Sequence, residues 1–128
     1  MSWDIVLFNS KQAIKEIEEI DEEFLEPTDF STTLENHFRN IEKDDNHRRI
    51  KGHYFEIEFF VDTENVSNKI LNLYGEQGLF EIVLLAKQNS WQIYDTGLGQ
   101  MIDLDNPAQN GYDTFNENVN QIICNQAK

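Results

Sequence analysis

The sequence predicts one α+β domain over residues 1–128: a mixed four-stranded sheet with helices packed mainly on one face. Three observations predict it. Residues 54–61 alternate strictly, Phe55, Ile57, Phe59 and Val61 against Tyr54, Glu56, Glu58 and Phe60, the period of a strand with one dry face. Elsewhere apolar residues recur at three- and four-residue steps, the period of a helix with one buried stripe. Near the end, Trp91 to Leu104 reads as strand, tight turn and strand, a hairpin. Strands alternating with helices imply right-handed parallel crossovers, which the closing hairpin turns into a mixed sheet.

The elements follow in chain order. Residues 3–8 are short and dense in β-formers, a strand. Ser10 caps a segment in which Ile14, Ile17, Ile20 and Phe24 fall at helical steps among Glu and Asp, and Pro27 ends it. Asp29 is placed to cap a next helix, with Thr32 and Glu35 at capping-box spacing and Leu34, Phe38 and Ile41 on its stripe to about Lys43. Residues 44–52 are polar and predict a loop. After the 54–61 strand, Asp62 to Asn65 turn the chain. Val66, Ile70 and Leu73 then predict a helix closed by Gly75. Leu79, Val83 and Ala86, flanked by Phe80 and Leu84, predict a more buried helix. Residues 91–95 form a strand, residues 96–99 a turn with two glycines, and residues 101–104 the returning strand. Asn106-Pro107 and Asn110-Gly111 break the chain before a last helix with Phe115, Val119 and Ile122 on its stripe.

Composition sets the class. Nine Phe, four Tyr and two Trp in 128 residues supply a core without staples. Ten Lys and Arg against 24 Asp and Glu give a net charge of −14. That balance excludes nucleic acid and anionic membrane as partners, since both attract positive surfaces. The lone Cys124 makes no internal disulfide and suits a reducing compartment. The longest apolar run is five residues, 82–86, against about 20 for a membrane helix. The N-terminus lacks the pattern of a signal peptide. A cytoplasmic protein is expected.

Motifs for chemistry are sparse. Asp95-Thr96-Gly97 is the tripeptide of aspartic proteases, but that chemistry needs two such carboxylates sharing a proton, and the sequence holds one copy followed by Leu98. A hairpin turn closed by its own Asp explains the tripeptide as well. An EF-hand loop begun at Asp103 fails at Pro107, Ala108 and Thr114, its fifth, sixth and twelfth positions. His37, His47 and His53 lack zinc-ligand spacing. Cys124 has no activating base in sequence and reads as a small buried hydrophobe. There is no phosphate loop, nucleophile elbow or dinucleotide fingerprint. No catalytic residue, metal or cofactor is therefore assigned.

Charge placement is the feature above background. Residues 16–29 hold eight acids and no base. Residues 88–127 hold Asp95, Asp103, Asp105, Asp113 and Glu117, again without Lys or Arg, while basic residues gather between Lys43 and Lys51. Such faces keep a protein soluble, and they also steer a cationic partner. The candidate partner-binding residues are Trp91, Tyr94, Asp95, Asp103, Asp105, Tyr112 and Asp113: aromatics as anchors and acids for steering. Trp91 and Tyr94 point to opposite faces of a strand, so at most one of them is required by the core.

Met1-Ser2-Trp3-Asp4-Ile5-Val6-Leu7-Phe8 and Trp91-Gln92-Ile93-Tyr94-Asp95-Thr96-Gly97-Leu98-Gly99-Gln100-Met101-Ile102-Asp103-Leu104 together resemble a family of short uncharacterised bacterial proteins. The small, acidic, cysteine-poor character is similar in type to immunity proteins of bacterial toxin systems. The resemblance implies an antidote that docks on a basic toxin. Two other readings stand beside it. One is a small enzyme or divalent-metal-binding domain using the hairpin region 95–105, with His53 as a helper. The other is a subunit that self-associates through Tyr54 and Phe60 on the exposed face of strand 54–61.

Overall fold

The computed structural model of the protein describes residues 2–106. Its inner strand is β1 (Ser2–Phe8), where Ile5 and Leu7 are fully buried. Helix α1 (Phe30–His37) follows after a long irregular segment. Then come four strands in succession: β2 (Ile41–Asp44), β3 (His47–Gly52), β4 (Phe55–Phe60) and β5 (Asn68–Tyr74). Helix α2 (Glu76–Asn89) leads to β6 (Gln92–Asp95) and the two-residue β7 (Gln100–Met101).

Among the described residues the sheet has seven strands in the order β2-β3-β4-β5-β1-β6-β7, and each pair of neighbours is antiparallel. The mixed four-stranded sheet expected from sequence is thus corrected, while the α+β character holds. The strands that periodicity missed are β2, β3 and β5. In β2 and β3 only Ile50 is buried, so the hairpin carries almost no apolar signal. In β5, Ile70 points to solvent and Lys69 points inward, which disguises alternation as helical spacing. Gly75, expected to end a helix, instead turns β5 into α2 at φ +90°, and a Cβ there would stand 2.5 Å from the Tyr54 carbonyl oxygen.

The core lies on one side of the sheet. Ile5, Leu7, Ile57, Leu71, Leu73 and Ile93 meet Phe30 and Leu34 of α1 and the buried stripe of α2, Leu79, Val83 and Ala86. Lys69 shares this dry side because its Nζ donates to the Phe60 carbonyl and to Asp62 Oδ2 at 2.7 Å, over the Phe59 ring. A buried ammonium with both partners supplied is tolerated where an unpaired one is not. Both sheet edges resist pairing: β2 is short and charged, and β7 is two residues long.

Helix α1 begins where sequence placed it, Asp29 accepting from the Thr32 amide at 3.0 Å and the Thr32 hydroxyl at 2.7 Å. It ends at His37, six residues before the expected stop, because residues 41–44 pair as β2. The helix expected around Ile14, Ile17, Ile20 and Phe24 is absent. Two short 3-10 turns stand there, Ile17–Glu19 and Glu22–Phe24, with no buried residue in either. The strand expected at 101–104 is cut to its first residue by an Asp103 turn.

Candidate functional site

The irregular segment between β1 and α1 is closed at its base and open at its tip. The Lys11 amide donates to the Phe24 carbonyl at 2.8 Å, the Glu26 amide to the Asn9 carbonyl at 2.8 Å, and Lys11 pairs with Glu26. Gln92 of β6 holds the middle: its Oε1 accepts from the Ile14 amide at 2.7 Å and its Nε2 donates to the Gln12 carbonyl at 2.9 Å. Beyond this clasp come Glu16, Glu18, Glu19, Asp21, Glu22 and Glu23, all exposed. None of these six forms an ion pair among the described residues. Residues 15–18 border a concavity with Gly99, Gln100 and Met101 at the β7 edge.

The basic cluster does not cancel this field, because it is spent locally. Arg48 and Lys43 converge on Glu35 at 3.0 and 3.2 Å, Arg49 meets Glu58 at 3.0 Å, and Lys51 meets Glu42 at 2.9 Å. Burial raises the Glu35 carboxyl, yet hydrogen bonds from Arg48 and Lys43 outweigh it and hold the group below its ordinary value. The Lys51 hydrogen bond holds Glu42 down in the same way.

The second acidic stretch has a different fate. Asp95 is 1% exposed. Its Oδ1 accepts from the Gly97 and Leu98 amides at 2.9 and 3.2 Å, and the Gly99 amide donates to its carbonyl at 2.8 Å. Asp95-Thr96-Gly97 is therefore a side-chain-closed turn. Asp103 Oδ1 accepts from the Asp105 and Asn106 amides at 3.1 Å, and Asp105 pairs with Lys87 at 3.2 Å. Trp91 is 3% exposed and packs on Phe30, ring centroids 4.7 Å apart, so it anchors the core. Tyr94 is half-buried on the opposite face. Tyr112 and Asp113 lie outside the described residues, as do Cys124 and the last expected helix. Of the predicted site residues among those described, Tyr94, Asp103 and Asp105 keep a side chain that solvent reaches.

That opposite face carries a surface the sequence marked only at Tyr54 and Phe60. Register places Ile70, Val6, Tyr94 and Met101 in one cross-strand row over β5, β1, β6 and β7. Phe60 borders the same groove as Ile70, and the two are 61% and 62% exposed. The next row holds Glu58, Asn72 and Asp4. Asn72 Nδ2 donates to Asp4 at 2.7 Å, while its Oδ1 is hidden from solvent with no hydrogen-bond partner. Ile70 was missed because helical spacing had claimed it. Its exposure among alternating β5 neighbours is the signal that finds it.

No group of three or more His, Cys, Asp or Glu side chains converges for a metal ion among the described residues. No helix among them is long and apolar enough to cross a membrane. No family model matches the chain, and no curated protein or solved structure matches it.

Proposed function

We propose that the protein is an acidic protein-binding module that docks on a basic partner. Its most concrete form is an immunity-like antidote seated on a basic bacterial toxin. One observation supports the reading above the others: six exposed carboxylates without ion pairs among the described residues fall within residues 16–23, while the basic residues 43–51 are paired with other acids. Charges so placed act at a distance, raising the on-rate for a cationic protein and making it fall with salt. The site lies on the 16–23 loop, and Asp103 and Asp105 contribute at its margin.

The test compares the wild-type chain with a loop variant carrying Gln for Glu at 16, 18, 19, 22 and 23. Both are immobilised and exposed to lysate of the source organism at low and physiological salt. The wild type is expected to retain a basic protein with a steep salt dependence, and the loop variant to retain much less. Retention of no basic protein at either salt, or equal retention by both chains, overturns the reading.

A further inference from the structure

We infer that the open face of the sheet is the anchoring half of this docking surface, made to take a partner segment that carries apolar side chains beside Lys or Arg. The inference rests on the proposed reading and goes beyond it in naming where binding energy, as distinct from steering, is gained. Phe60 and Ile70 stand 61% and 62% exposed on a groove of about 840 Å³. Isolated exposed hydrophobics are common, but here Ile70 continues through Val6 and Tyr94 to Met101 in one row. Met101 borders the same concavity as Lys15, Glu16, Ile17 and Glu18, so the apolar row runs up to the base of the acidic loop.

The polar row beside it selects the partner's charge. Asp4 is exposed, borders the same groove and is held by the Asn72 Nδ2 donor at 2.7 Å. Its carboxylate asks for N–H donors, and a Lys or Arg head supplies them with matching charge. A second copy of the chain fits badly. It would bring another net charge of −14 to a face that carries Asp4.

The experiment uses two synthetic peptides of equal length and charge, one of Leu and Lys in amphipathic order, the other of Ser and Lys. The wild type is expected to bind the Leu/Lys peptide at least about tenfold more tightly, as exposed anchors typically contribute. Phe60→Ser with Ile70→Ser removes that excess and leaves the Ser/Lys affinity unchanged, and Ile70→Ser alone removes part of it. Asp4→Asn weakens both peptides. Equal binding of the two peptides by the wild type, or an excess that survives the double substitution, overturns the inference and leaves the loop reading intact. The loop variant is the separate control: association with both peptides as fast as in the wild type sinks the loop reading, whatever the face does. Sedimentation of the free protein is expected to show a monomer. A dimer dissolved by the double substitution would assign the face to a second copy. Radical footprinting is expected to mark Phe60 and Ile70 in the free monomer. Their protection would assign the face to residues 107–128. Either result overturns the inference.

Discussion

Two acidic stretches, six acids in residues 16–23 and three in residues 95–105, meet opposite fates in this fold. In residues 95–105, each carboxylate has work inside the molecule: Asp95 closes the β6–β7 turn, Asp103 caps the next one, and Asp105 lies against Lys87. In residues 16–23, only Asp21 accepts a backbone bond, from Glu23, and the carboxylates project into water. Composition alone marks both as docking surfaces. Geometry does not, because a carboxylate held by nearby amides is not free to turn to a partner's cation, whereas solvated neighbours are, and their fields add. The comparison teaches that acid counts locate charge, and hydrogen-bond bookkeeping decides whether it is available.

The largest effect that separates the two stretches is on stability. Asp95→Ala removes a buried carboxylate that accepts from the Gly97 and Leu98 amides, and is expected to cost about 2 kcal/mol. Denaturant unfolding measures it. Peptide association of the same variant should match the wild type at a temperature where both are folded. The loop variant with five Gln inverts the pattern. Its stability should stay within about 0.5 kcal/mol of the wild type, as for exposed sites without special contacts. Its association with a cationic protein should slow about tenfold at low salt and converge with the wild type at high salt. A loop variant that unfolds early, or an Asp95→Ala protein that associates slowly, would erase the distinction.

How much of this was legible beforehand follows from what each segment buries. β1, β4, α2 and β6 were readable because their apolar residues keep one period and fall on the core: Ile57 and Phe59 in β4, Leu79, Val83 and Ala86 in α2. The β2–β3 hairpin was not, since strands that bury one residue in ten carry no periodic signal and are held by ladder bonds and by Glu35, Glu42 and Glu58 pairs. β5 misled because Ile70 belongs to the open face and Lys69 to the core, the reverse of what their chemistry suggests. The 11–25 segment misled because Ile14, Ile17 and Ile20 suit a helix whose dry side would need a partner, and here the chain is clasped by Gln92 instead. For the candidate site, the acidic loop could be seen in composition, and Trp91 and Asp95 could not be withdrawn without knowing that both are buried.

Asp29, the last acid of the first stretch, sharpens the contrast, because it behaves like the second. Hydrogen bonds from the Thr32 hydroxyl and amide hold its carboxyl below the ordinary value. Asp29→Ala is expected to cost about 1 kcal/mol, as other N-cap truncations do. Because the folded value is the lower one, the stability contributed is present above the unfolded value and is lost as pH falls through the folded one. The gap between wild type and variant should therefore be full at neutral pH and shrink below about pH 4, read from melting temperatures across a pH series. A gap that does not change with pH would mean that Thr32 recognises the neutral acid equally well.

The smallest effect tests the margin between the two regions. Asp105 and Lys87 are both well exposed and 3.2 Å apart, so solvent screens them and removing the pair should change stability by less than about 0.5 kcal/mol. Their interest lies in association. Reversing Asp103 and Asp105 to Lys introduces positive charge, so it should slow a cationic partner and flatten the salt dependence, but by less than the five-Gln loop variant does. The reason is geometric: Asp103 already serves two amides, and Asp105 already faces a lysine, so the wild-type field from this pair is weak. Lys87→Ala frees Asp105 and should slightly speed the same association. If the Asp103 and Asp105 reversal slows association more than the loop variant, the hairpin is the steering surface, and the ranking of the two acidic stretches drawn from their hydrogen bonds is inverted.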